Sequence, residues 1–301
     1  MKNIFVLGGS GFLGKHIVEE LIKDDVDIHC LLNKTPLSVE SSKIKTTYSP
    51  LSQFNWKSLE ADLPDVIVHS ARTSGKNKQE RTEFSQYNAI ANQRLIDWLS
   101  GLSKPPLLIF VSGTLVYGSH GTKIMDETAA PVPCSFQKQY FEAEKPIYEA
   151  LKNNKVPIII TRPAWIYGKD SWLQAFYLSP AEKQARIPLY GKGKNLMNLI
   201  HVQDCAAKIV KLISAGKSGE IYNLYTHKAI EQKEFVDLLS GILNKPIQRI
   251  PSLWIKIRYE KAVQEAFSFS LNLNTIHQDT FIGLDPYYPD LKEGLKSVIR
   301  N

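Results

Sequence analysis

The stretch Asn3-Ile4-Phe5-Val6-Leu7-Gly8-Gly9-Ser10-Gly11-Phe12-Leu13-Gly14 decides the fold. Residues 3–7 form a short apolar run that stops abruptly at glycine, which reads as a strand and is too short for the apolar core of a leader peptide. After Gly14, Ile17, Val18, Leu21 and Ile22 recur at helical spacing. The glycines therefore form a turn between a strand and a helix. Gly8, Gly11 and Gly14 have GxxGxxG spacing, while Gly9, Gly11 and Gly14 satisfy GxGxxG. One small residue permits the tight turn, a second lets backbone N–H groups approach an anion, and a third lets the helix pack closely on the strand. The helix start adds unpaired N–H groups and a positive dipole end. Residues 8–14, Ser10, Phe12 and Leu13 included, are thus the expected cradle for a dinucleotide pyrophosphate. The alternative is a turn that kept this shape and lost its ligand.

Working outward, residues 27–32, 65–70, 107–112 and 156–161 are further strand candidates, and their unbroken apolar character suits strands covered on both faces. Between them, residues 86–99 place Ile90, Leu95 and Ile96 on one helical face. This alternation predicts an α/β protein, a Rossmann-type doubly wound parallel sheet with a smaller C-terminal substrate lobe. Residues 1–165 are assigned to the dinucleotide-binding domain and 166–301 to the substrate-facing lobe, with part of the later segment returning to the sheet. In that later half, helices are expected at 204–214, 232–243 and 253–267.

With 301 residues, 43% of them hydrophobic and 22% charged, the chain can bury a sizeable core. Cys30, Cys134 and Cys205 have no short mutual spacing, which argues against a disulfide framework and a metal site and makes a cytoplasmic setting the default. No apolar run reaches the ~18 residues that a membrane span needs. The net charge of +7 is dispersed over Lys43, Lys45, Lys192, Lys194, Lys256, Arg258 and others, without interleaved aromatics. That pattern suits a solvated basic surface or the steering of an anionic small molecule, and not nucleic acid.

An acidic residue about 20 positions after the glycines, at the end of the second strand, would accept from an adenosine 2′-hydroxyl and select NAD. Here Asn33 and Lys34 stand instead. An amide beside a cation tolerates a 2′-phosphate and favours NADP over NAD; the alternative is that Lys34 is a solvated loop lysine.

Together with the glycine loop, His69-Ser70-Ala71, Asn88, Val116-Tyr117-Gly118, Asp126-Glu127 with Pro131, Lys145 with Glu149, Arg162-Pro163 with Tyr167-Gly168, and Ile200-His201-Val202 with Asp204 run in one order along the chain. In this the sequence resembles the extended short-chain dehydrogenase/reductase family, the NAD-dependent epimerases and dehydratases of nucleotide sugars. The resemblance implies cofactor contacts from Ser70, Ala71, Arg72 and Pro163, Asn88 fixing the central helix, and Lys145 bonding the nicotinamide ribose. The family often pairs through two long helices, here residues 86–99 and 140–151, so a homodimer is its implied assembly. Ser49-Pro50-Leu51 replaces the family's acidic adenine contact.

The family's chemistry requires a Tyr phenol, a Lys four residues later, and a Ser or Thr hydroxyl. Aligning Lys145 and Glu149 with K-x-x-x-E puts Phe141 at the Tyr position, with Tyr140 rotated by roughly 100° on a regular helix. Pro146 disfavours α geometry at Lys145, so a local irregularity would bring Tyr140 inward. Tyr148 and Lys152 have the Y-x-x-x-K spacing, but too little helix remains after them. The hydroxyl position, four before Tyr117, is Gly113, flanked by Ser112 and Thr114. A bulge at the glycine would let one of them substitute. The candidate catalytic set is therefore Tyr140, Lys145, Thr114 and Ser112. His201 reads as a packed histidine near the pocket. The expected function is an atypical NAD(P)-dependent oxidoreductase or epimerase/dehydratase acting on a carbonyl or hydroxyl of a small, sugar-like substrate. Phe141 and Gly113 support the alternative, a non-catalytic NAD(P)-binding sensor or assembly protein.

Overall fold

The computed structural model describes residues 2–299 other than 74 and 76. Its centre is a seven-stranded parallel sheet made of β1 (Lys2–Leu7), β2 (Val26–Leu32), β3 (Ile44–Tyr48), β4 (Val66–His69), β5 (Leu107–Val111), β6 (Ile158–Pro163) and β7 (Ile221–Leu224). The spatial order is β3-β2-β1-β4-β5-β6-β7. The order reverses between β1 and β4, where a doubly wound sheet opens a crevice for ligands at its strand C-termini.

Helices cover both faces. Ile17, Val18 and Leu21 of α1 (Phe12–Leu21) bury one face of the sheet, and Ile209 and Leu212 of α4 (Val202–Ala215) join them. On the other face, Leu95, Ile96 and Leu99 of α2 (Lys78–Gly101) and Ile147 of α3 (Ser135–Lys152) pack on Phe5, Ile67, Leu108 and Ile158. A third apolar cluster belongs to the later half and centres on Tyr177, Tyr190, Phe235 and Phe267. No helix among the described residues is long and apolar enough to cross a membrane.

Two strands escape the periodicity argument. β3 reads Ile-Lys-Thr-Thr-Tyr and lies at the sheet edge, where no face is fully buried, so it carries no apolar run. β7 comes from the later half and adds a four-residue parallel strand beyond β6. The helix expected at 253–267 is two helices, Ser252–Arg258 and Lys261–Ser268, separated by extended backbone at Tyr259 and Glu260.

α3 continues through Pro146 without a break. Its position against α2 is fixed by Asn92, whose Nδ2 donates to the Ala143 carbonyl at 2.8 Å and whose Oδ1 accepts from His69 Nε2 at 3.0 Å. Burial pushes the His69 imidazole down to about 4, so it is neutral and donates from one nitrogen only. Asn92→Leu leaves the His69 N–H unpaired and removes the bond that ties α2 to the Ala143 carbonyl in a buried seam. Chemical denaturation should show a loss of about 1–3 kcal/mol.

Candidate dinucleotide and substrate site

The glycine loop closes on itself through backbone contacts. Gly11 N–H donates to the Gly8 carbonyl at 2.9 Å, and Gly8 N–H donates to the Leu31 carbonyl at the end of β2. Gly8 has φ +83°, and a Cβ there would lie 2.7 Å from the Ala71 Cα; a Cβ on Gly14 would lie 2.0 Å from the Gly8 carbonyl oxygen. Both positions therefore exclude any side chain. No side chain caps the start of α1, and no acidic residue stands in its first turn. The helix end is consequently open to an anion. Ser10 and Phe12 are partly buried in this loop and Leu13 packs into the core.

The loop after β4 is held against these glycines. Ser70 Oγ donates to the Leu7 carbonyl at 2.9 Å, and Asn88 of α2 grips Thr73 through both its N–H and its carbonyl. Asn88 thus fixes the loop that carries Ala71 and Arg72, as well as marking the helix. Asn33 and Lys34 lie exposed just beyond β2.

α3 presents Tyr140, Glu144 and Tyr148 on its buried face, with exposures of 9%, 4% and 8%. On a regular helix these i, i+4 and i+8 positions share one side. Lys145 is rotated away from them, half-exposed and paired with Glu142, so it does not join Tyr140. The correction is one of register: Glu144 occupies the place four residues after Tyr140, and no irregularity at Pro146 is needed to bring Tyr140 inward. Phe141 packs its ring against Tyr148 at 5.2 Å, and Lys152 is exposed.

Ser112 and Thr114 diverge. Gly113 has extended backbone at φ 177°, not a bulge, and it leads into a turn at Thr114–Tyr117. Thr114 Oγ1 donates to the Pro163 carbonyl at 3.1 Å, whereas Ser112 Oγ donates to Glu144 Oε2 at 2.5 Å. A Cβ on Gly113 would meet only the Pro163 carbonyl, 4.0 Å away, so the usual hydroxyl position is open space.

Beneath Glu144 lies a directional chain of hydrogen bonds. Arg162 is 1% exposed and donates from Nε and Nη2 to the Tyr148 hydroxyl at 3.2 and 3.1 Å. Tyr148 is 3.4 Å from Ser112 Oγ. Because Ser112 gives its proton to Glu144, the phenol is left to donate to Ser112. Above, the Arg72 guanidinium lies 4.8 Å from the Tyr140 ring centre, a cation–π distance. Burial pushes the Glu144 carboxyl up to about 7, against the opposing pull of the Ser112 hydroxyl and the charges of Arg72 and Arg162. Burial likewise holds the Tyr148 phenol above its ordinary range.

Sequence reasoning named Tyr140, Ser112, Thr114 and Arg72, but it passed over Glu144. Counting four residues forward from Tyr140, instead of aligning on Lys145, finds it. His201 caps the start of α4, with Nδ1 accepting from Gln203 N–H at 3.2 Å and its ring against Tyr288. Burial lowers that imidazole to about 4. A cavity of about 540 Å³ in the later half is lined by Tyr190, Lys192, Lys194, Lys256, Lys261 and Phe267, among others.

A profile of the NAD dependent epimerase/dehydratase family matches residues 4–224. The chain belongs to this family of enzymes, and the glycine loop, parallel sheet and returning β7 all fall inside the match. Among individual relatives, human dTDP-D-glucose 4,6-dehydratase is 21% identical over 99% of this chain and 89% of its own length. Among solved structures, dTDP-glucose 4,6-dehydratase of Bacillus anthracis in complex with NAD superposes with a TM-score of 0.81 at 20% identity, covering 100% of this chain and 96% of the other. A human epimerase family protein with NADPH gives 0.78 at 18% identity, covering 99% of both chains. The shared fold accommodates either dinucleotide.

Gly14→Ala should weaken binding of NADH or NADPH, read as the rise in nicotinamide fluorescence, by more than about 10-fold. A methyl there forces the Gly8 carbonyl, and with it the pyrophosphate loop, out of place.

Proposed function

We propose that the protein is a nicotinamide-dependent enzyme that oxidises, and then epimerises or dehydrates, a hydroxyl-bearing carbon of a nucleotide-linked sugar. The observation that carries this reading is Tyr140, set on the buried face of α3 under Arg72, beside the loop whose Ala71 backbone lies against Gly8. Gly8, Gly9, Gly11 and Gly14 would hold the pyrophosphate, with Ser70, Ala71 and Pro163 at the crevice. Bound there, the cofactor supplies the acceptor and donor of a hydride. Tyr140 exchanges the hydroxyl proton of the substrate, and Arg72 keeps the ring in place through its face. Removing the hydroxyl proton while the hydride leaves the same carbon turns an alcohol into a ketone, and the reverse returns it.

The lysine-lined cavity supports an anionic substrate. Lys192, Lys194, Lys256 and Lys261 line one space of this size against the single carboxylate of Glu265, which pairs with Lys261 at 3.9 Å, and the surplus of cations suits a diphosphate, which the sugar nucleotides named for the relatives contain. Exposed Lys34, with no acidic residue at the end of β2, supports NADP over NAD. A second reading, a dinucleotide sensor without turnover, is favoured by the open space at Gly113 and by Glu144.

Two experiments test these statements. With dTDP-glucose and UDP-glucose as probes, Tyr140→Phe should lower turnover by about 10²- to 10⁴-fold while cofactor affinity is retained. Turnover that survives this substitution removes Tyr140 as the acid–base group, whereas its absence from the unaltered protein with every nucleotide sugar tried favours the sensor. Lys34→Glu should weaken NADPH roughly 10-fold and NADH far less, because only NADPH carries the 2′-phosphate. Equal effects on the two would remove the NADP preference.

A further inference from the structure

Glu144 has one carboxylate oxygen engaged and one free. Ser112 donates to Oε2, yet among the described residues no hydrogen bond reaches Oε1, although the side chain is only 4% exposed. Oε1 is not one of the fully enclosed unpartnered side-chain atoms, so a ligand hydroxyl can reach it and supply the missing donor. Among the neighbouring donors only Arg162 Nη1 is buried without a partner, and it makes no hydrogen bond to Glu144. From β6, Arg162 donates to Tyr148, and from α3 itself Tyr148 is committed towards Ser112 at the end of β5. Arg72, in the loop after β4, lends positive charge but no hydrogen bond, and its guanidinium rests on Tyr140. The chain from Arg162 through Tyr148 and Ser112 delivers a donor to the carboxylate and so prepares it to accept on its other oxygen.

The position of Glu144 limits what can approach. Arg72 directly follows Ala71, whose backbone lies against Gly8, so the carboxylate neighbours the pyrophosphate loop through two successive contacts. A group reaching it from that loop is the sugar attached to the diphosphate. On the adenine side that sugar would lie towards Asn33 and Lys34, beyond β2, so the sugar on the α3 side is the one next to the nicotinamide.

We propose that Oε1 of Glu144 accepts the ribose hydroxyls on the nicotinamide side of the cofactor, binding a vicinal diol through an acceptor where a lysine would bind it as a donor. This rests on the glycine loop being a dinucleotide cradle. Acidic side chains hold ribose diols in this way on the adenosine side of many dinucleotide sites. Lys145, on the solvent face and paired with Glu142, is not required. Because the ionised form of Glu144 accepts, and its protonation falls near pH 7, affinity through this ribose declines as pH drops through neutrality.

ADP and ADP-ribose separate this contact from the rest of the site, since only ADP-ribose carries the second sugar. Calorimetric titration of the full chain at pH 8 should show ADP-ribose binding more tightly than ADP. Glu144→Leu should weaken ADP-ribose by about 10- to 100-fold and leave ADP unchanged. The isosteric Glu144→Gln, the safer variant for folding, should show a smaller loss and abolish the decline of ADP-ribose affinity between pH 8 and pH 6. The proposal is overturned if unaltered protein binds the two ligands equally, if both variants leave ADP-ribose unaffected, or if ADP and ADP-ribose weaken together. Unaltered protein that binds neither ligand overturns this proposal, and if it also fails to bind NADPH the dinucleotide reading falls with it.

Discussion

The approach of α1 to the end of β1 is set by two absent side chains. A Cβ on Gly14 would stand 2.0 Å from the Gly8 carbonyl oxygen, and one on Gly8 would press on Ala71. With hydrogen atoms alone at these points, the first helix begins directly over the end of the central strand, and the loop after β4 closes over both. Everything proposed for the site follows from that closeness. Arg72 is carried in by Ala71, Tyr140 meets Arg72, and Glu144 lies beneath them on the same helical face. The loop itself contributes only backbone; the chemistry comes from strands and helices whose ends it gathers.

The parts of the fold that were legible in the sequence are those with a strong local signal. β1, the glycine turn and α1 are marked by an apolar run, fixed small residues and a helical repeat, and the inner strands β2, β4, β5 and β6 by apolar runs buried on both faces. β3 was hidden because an edge strand with Lys45 and Thr46 pointing to solvent has no such signature. β7 was hidden because its pairing with β6 joins residues some sixty positions apart, which no local pattern encodes. At the site, the cradle was readable from spacing, while the helical register of α3 was not. One residue of offset separates a helix with Lys145 inward from the observed one with Glu144 inward, and the choice is made by packing of Ile147 and Tyr148 on the sheet.

That register changes the electrostatics of the site. An acid–base tyrosine followed by lysine has its cation on the same helix. Here the helix supplies a carboxyl, and the cations come from two different connections of the sheet, Arg72 after β4 and Arg162 at the end of β6. Arg162 holds Tyr148 through Nε and Nη2, with Nη1 buried and unpartnered, whereas Arg72 makes no hydrogen bond or ion pair among the described residues and lies over the Tyr140 ring. The positive charge nearest the reacting end of the crevice is therefore a planar, many-donor guanidinium on a loop, not an ammonium on a helix. Its placement depends on Asn88 gripping Thr73, so a residue of α2 with no place in the chemistry governs the charge above Tyr140.

The strand contributed by residues 221–224 has a consequence for how this chain can be divided. Without β7, the backbone groups of β6 that face away from β5, such as the Ile160 N–H that donates to the Glu220 carbonyl, would stand unpaired at a bare apolar margin, the kind of margin that recruits another chain. A fragment ending near residue 165 would thus carry an adhesive edge in place of a finished one. Grafting a new substrate lobe onto this cradle means preserving, inside the graft, the four residues that seal it.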